Sequence, residues 1–192
     1  MSNVPVRKPN RLKNYDYSSA GAYLVTVCTD GHNQLFGMIA SRGGRPEVAP
    51  TSLMQLSPLG KIVEAEIWQL SNTYDGVYVD CYVIMPNHVH MIIVIRNGGG
   101  RPKVAPTISR MMQQWKGAVT KKAKTTVWQK SFHERIIRNT DEYQRFVHNI
   151  HNNPSYWEKD RYFVGYKRPY AAPEASAPRR GELRSPDVQQ DI

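Results

Sequence analysis

The stretch Val77–Ile95, VYVDCYVIMPNHVHMIIVI, decides the fold. Two runs rich in β-branched and aromatic residues, Val77 to Met85 and His88 to Ile95, flank Pro86-Asn87. Proline has no backbone N–H and is excluded from a continuous central strand, so the stretch reads as two strands joined by a turn. Side chains alternate across a strand, so His88 and His90 project to one face while Val89 packs the other way. Two imidazoles side by side on a rigid strand are a partial ligand set for a divalent metal. A histidine pair hydrogen-bonded at a sheet surface has the same spacing, so the pattern alone leaves both readings open.

Working outward, Ser57-Pro58 is a helix start, an N-cap followed by proline at the first helical position. Leu59, Ile62, Val63, Ile67 and Leu70 then recur at helical spacing until Asp75-Gly76. Tyr23 to Thr29 (YLVTVCT) predicts a strand closed by Asp30-Gly31, with Gln34 to Ile39 pairing back on it. A second helix is predicted from about Thr107 to Lys124, with Ile108, Met111, Met112, Trp115 and Val119 on one side. Val127 to Ile137 reads as extended. Asn139-Thr140-Asp141-Glu142 resembles a capping box and opens a helix to about Asn152 that Pro154 stops. The order strand, helix, strand, strand, helix, strand, helix is that of an α+β, ferredoxin-like split βαβ sandwich with one added C-terminal helix. It places helices on one face of an antiparallel sheet and leaves the other free for a ligand or partner.

The 192 residues favour one domain, at 19–165, with a basic arm at 1–18 and a disordered or loosely docked tail at 166–192. A net charge of +10 points to a polyanion, most often nucleic acid. The longest apolar run, Met91 to Ile95, is far too short for a membrane span, and the N-terminus carries no apolar run that would read as a signal peptide. Two cysteines, Cys28 and Cys81, support neither a disulfide framework nor a zinc cluster. A cytoplasmic protein is expected.

One repeat interrupts the domain: GGRPEVAPT at 43–51 returns as GGRPKVAPT at 99–107, within insertions at 42–52 and 97–107. These are either look-alike linkers or the trace of a DNA element. The codons GGG-CGA-CCT-NAG-GTC-GCC-CCN encode Gly-Arg-Pro-(Glu or Lys)-Val-Ala-Pro and form an inverted repeat about the variable base. We hypothesise that a palindromic element inserted twice into the gene. Synonymous codons that do not pair, read directly from the gene, would exclude it.

Three ordered motifs carry a resemblance. Met85-Pro86-Asn87-His88-Val89-His90 resembles the His-hydrophobic-His (HUH) motif of the single-tyrosine transposases. The segment from Trp128 to Asn139 resembles the lead-in to their catalytic helix, and Ile150-His151-Asn152-Asn153-Pro154 resembles that helix's end. The similarity runs from about Tyr23 to Pro154 and is nearest to the REP-associated tyrosine transposases. It implies a ferredoxin-like fold that cuts and rejoins single-stranded DNA beside a hairpin. It also implies Mg²⁺ or Mn²⁺ held by His88, His90 and Asn153, with a helix tyrosine attacking the scissile phosphate.

The chain departs from the family pattern at the nucleophile. Where the family has Tyr-Ile-x-x-Asn-Pro, this chain has Asn149-Ile150-His151-Asn152-Asn153-Pro154, and an amide cannot replace a phenolate. Cleavage is therefore expected to be impaired. Tyr143, ten residues before Asn153 and about 15 Å away along a helix, is a weak substitute, as is Tyr156 beyond the proline. Lys116, Lys121, Lys122, Lys124, Lys130, Arg135 and Arg138 are candidate phosphate contacts, or an ordinary solvated face. Trp128 and Phe132 are candidates for base stacking, although core packing is at least as good a reading of Trp128. His148 and His151 read as solvated or DNA-facing rather than as a second metal pair. The expected partner is single-stranded or hairpin DNA, with a homodimer left open. A non-catalytic hairpin-binding regulator is the alternative of another class, and an RNA-binding module would leave the histidine pair unexplained.

Overall fold

The computed structural model describes residues 19–40, 54–96 and 107–165. The expected arm and tail, and nearly all of both insertions, lie outside these residues. Six strands and three α-helices follow in the order β1 (Gly21–Cys28), β2 (Gly37–Ile39), β3 (Met54–Leu56), α1 (Pro58–Thr73), β4 (Val77–Met85), β5 (His88–Ile95), α2 (Ile108–Ala123), β6 (His133–Ile137) and α3 (Thr140–Asn152). The main sheet is antiparallel in the order β4-β5-β1-β6. This is the split βαβ arrangement, since β5 sits between β1 and the strand that α1 leads into.

The Pro86-Asn87 turn closes as expected, with Met85 paired to His88. On β5, Val89, Met91, Ile93 and Ile95 enter a core shared with α1 and α2, while Ile92 joins a second, smaller cluster on the opposite face. A bulge between Val79 and Cys81 shifts the parity of β4, so Val83 and Met85 also reach the second cluster. Each helix begins where the sequence places its cap: Ser57, Thr107 and Asn139 accept from the backbone N–H of Gly60, Arg110 and Glu142. Ser57 also donates from Oγ to Leu35 O (2.7 Å) and from its backbone to Phe36 O (2.8 Å). α1 lies so close to this segment that a Cβ on Gly60 would stand 2.1 Å from Phe36 O. A side chain at position 60 would push the helix off the chain beneath it.

Three expectations are corrected and one is extended. Residues 37–39 do not pair with β1; they form a separate two-stranded sheet with β3, because β5 and β6 already occupy both edges of β1. Of Val127–Ile137, only His133–Ile137 is a strand, Trp128 making an isolated bridge to Thr29. The second sheet face is not free: Tyr143, Phe146, Val147 and Ile150 recur at helical spacing and pack α3 across it. Pro154 ends the α-helix but not the helical path, because Asn153–Lys159 continues as a 3-10 segment with the proline in its first turn. Among the described residues no helix is long and apolar enough to cross a membrane.

Candidate metal centre and cleft

Alternation on β5 turns His88 and His90 to the face that α3 covers, with their ring centroids 4.6 Å apart. His88 is wholly buried, and its Nε2 has no hydrogen-bond partner. His90 Nδ1 lies 2.7 Å from Thr26 Oγ1 on the neighbouring strand. The third member comes from beyond α3. Trp157, 2% exposed, anchors the 3-10 segment in the second cluster, and three residues later Asp160 Oδ2 stands 3.9 Å from His88 Nε2. One ligand atom from each of His88, His90 and Asp160 fits within 4.8 Å of the other two.

Burial holds the His88 imidazole well below its ordinary range, assisted by the charges of His90, His32 and Arg161. Burial, with Arg161 beside it, brings His90 down to about 4. Both rings are therefore neutral near pH 7, the form that ligates a metal. Burial raises the Asp160 carboxyl, opposed by the Tyr162 backbone N–H, the Arg161 charge and a hydrogen bond with the Asn153 side chain. Two neutral imidazoles and one carboxylate, one imidazole nitrogen unpartnered, suit a hard or borderline divalent cation. The donor set therefore fits a divalent metal ion.

A cleft of about 630 Å³ opens over this group. Asn149 and Asn153 of α3 line it together with His90, Tyr156, Asp160 and Tyr162. Asn149 is exposed there, where the family's nucleophile is expected. Asn153 stands at the α3 C-cap, bonded to Asp160. Tyr143 does not line the cleft: its hydroxyl donates to Asp80, and that bond, with burial, raises its pKa. Tyr156 does line it, with 57% of its surface exposed.

The candidate DNA contacts separate into two places. Arg135 lines the cleft, where it also pairs with Glu142, whereas Lys116, Lys121 and Lys130 line a separate hollow beside α2. Lys116 Nζ donates to the carbonyls of Gln129 and Lys130, and Lys122 pairs with Glu66. Lys124 and Arg138 are exposed. Of the two readings of Trp128, core packing is the one its position supports: it is 7% exposed, with its ring 4.8 Å from Trp115 and 5.2 Å from Phe36. Phe132 is half-buried against the same core. Cationic groups that the basic run did not reveal, Lys159 and Arg161, line the cleft. His148 lines it too, while His151 lines a different hollow under α1, so the two do not share a site. Asp160 was missed because it follows a proline read as a stop. The signal was Trp157, one large apolar residue in an otherwise polar stretch.

No family model matches the chain. A solved REP-associated tyrosine transposase bound to a REP hairpin has the same fold, at TM-score 0.52 and 20% identity over 76% of this chain and 73% of that one. The chain belongs to the same family as an uncharacterized protein of Haemophilus influenzae, to which it is 32% identical over 179 residues, 82% of this chain and 93% of that protein.

Proposed function

We propose that the protein is a transposase-type, metal-dependent protein that processes single-stranded DNA at palindromic hairpins, with its own cleavage impaired by Asn149. The observation that carries the reading is the His88–His90–Asp160 group, with His88 buried and His90 and Asp160 lining a cleft shared with Asn149 and Asn153. His88, His90 and Asp160 hold Mg²⁺ or Mn²⁺, with Asn153 as a further donor or as the group that orients Asp160. When bound, the cation supplies Lewis-acid polarisation and orientation of the scissile phosphate. Arg161, Lys159 and Arg135 attract the strand's phosphates, and the exposed ring of Tyr156 offers a face on which a base stacks. Asn149 offers amide donors and an acceptor but no nucleophilic oxygen, so the strand is held without forming a phosphotyrosine. The fold likeness to a protein solved with a REP hairpin supports a hairpin as the DNA form.

The second reading, a hairpin-binding regulator without catalysis, is favoured by one feature: the nearest upstream tyrosine, Tyr143, is committed to Asp80 outside the cleft. The test is a Mn²⁺-dependent cleavage assay on single-stranded DNA carrying the inverted repeat inferred from Gly-Arg-Pro-(Glu or Lys)-Val-Ala-Pro and its flanks. This chain is run beside Asn149→Tyr, with covalent adducts separated on a denaturing gel. The transposase reading expects cleavage and adduct from Asn149→Tyr alone. An adduct from the natural chain would place the nucleophile elsewhere, and tight binding with no cutting by either protein would favour the regulator.

A further inference from the structure

We infer that Asn87 is a positioning residue that sets the tautomer of His88 and ties the Asp160 segment to the histidine strand; the inference rests on the metal reading above. Asn87 occupies the β4–β5 turn and is wholly buried. Its Nδ2 lies 3.1 Å from the carbonyl oxygen of His32 and 2.8 Å from that of Tyr162. Carbonyl oxygens only accept, so these two contacts fix which end of the amide is NH₂. The remaining atom, Oδ1, lies 2.9 Å from His88 Nδ1 and can only accept, so His88 carries its proton on Nδ1. The lone pair then sits on Nε2, the unpartnered nitrogen that faces Asp160. The opposite tautomer would aim an N–H at the cation.

The same amide reaches Asp160 from its other side. Tyr162, whose carbonyl Asn87 holds, donates its backbone N–H to Asp160 Oδ1 at 2.7 Å. The Tyr162 ring lies against His88, with centroids 4.7 Å apart, and against His32 at 5.4 Å. The turn itself is fixed at the end of β1, where Asn87 O accepts from Thr29 N (2.9 Å) and Thr29 Oγ1 (3.0 Å). Asn87 thus holds the β1 end through its backbone carbonyl, and the histidine strand and the segment carrying the carboxylate through its side chain. Outer partners of this kind orient ligands and set their tautomer.

The test reads the His88 ring nitrogens by ¹⁵N NMR in the metal-free full-length chain and Mn²⁺ binding by EPR titration, with circular dichroism as a folding control. The natural chain is expected to show His88 protonated on Nδ1. Asn87→Ala is expected to mix the tautomers and weaken Mn²⁺ binding by about 10- to 100-fold with the fold retained. Asn87→Asp, which still accepts from Nδ1 but cannot donate to the His32 and Tyr162 carbonyls, is expected to keep the tautomer while losing the tie to the Asp160 segment. A natural His88 protonated on Nε2, or an Asn87→Ala protein with tautomer and affinity both unchanged, would overturn the inference. If Asn87→Ala does not fold, the tautomer of the natural chain alone decides. His88→Ala separates the two claims: Mn²⁺ binding that survives it refutes the metal reading, while the tautomer measurement still judges Asn87.

Discussion

The two faces of the sheet are built from the same strands and perform different tasks. Toward α1 and α2, the strands present Tyr23, Val25, Val27, Val89, Met91 and Ile93, all fully buried against helix residues such as Val63, Met111 and Val119. Toward α3, alternate residues of those strands are Thr26, His88, His90 and Ile92, and the apolar cluster there is small. One face is a dry core whose energy comes from apolar burial. The other combines a modest apolar patch with polar groups that burial penalises unless a partner satisfies them. The period of two along β1 and β5 thus sends one set of residues into the apolar core and sets the histidine pair on the opposite face.

The largest effect that would sharpen this contrast is on the dry face. Met111→Ala is expected to lower stability by about 2–5 kcal/mol, measured by urea denaturation, while leaving Mn²⁺ affinity of the folded protein unchanged. A change in affinity would show that the faces are coupled. On the other face, Mn²⁺ at a hundredfold excess over its dissociation constant is expected to stabilise the natural chain by about 2.7 kcal/mol, seen as a raised Tm. His88→Ala is expected to abolish that rise.

Acid should also act through the polar face. His90 has its folded-state pKa lowered from an ordinary 6.5 to about 4, and that of His88 is lowered too, so between those pH values the unfolded chain binds more protons. Stability is therefore full above about 6.5 and declines as the pH falls, the His90 part running out below about 4 while the His88 part acts in the same direction. Chemical denaturation at a series of pH values should show the decline, and His90→Gln should flatten it. The smallest effect concerns the seating of α3. Asn139→Ala removes the cap on Glu142 N and is expected to cost about 1 kcal/mol by thermal melting, with Mn²⁺ affinity retained.

The dry face was legible because its signals are local. Periodicity on α1 and α2, the Ser57-Pro58 helix start, and the Pro86-Asn87 turn each identify their element within a few residues. The polar face was half legible. Alternation alone paired His88 with His90, and Asn153 was placed beside them by resemblance. Asp160 and Asn87 were not visible as site residues, because their roles depend on contacts between segments far apart in sequence, such as Asn87 with Tyr162. The pairing of residues 37–39 failed for a related reason. A short strand's partner is set by which sheet edges remain open, and β1 had none.

On the proposal made above, the polar face holds a divalent cation through His88, His90 and Asp160. The most direct measurement is a Mn²⁺ titration followed by EPR on the full-length chain, beside His90→Ala and Asp160→Ala. One tightly bound Mn²⁺ per chain is expected, lost in His90→Ala and markedly weakened in Asp160→Ala. Tight binding that survives both substitutions, or no binding by the natural chain, would contradict it.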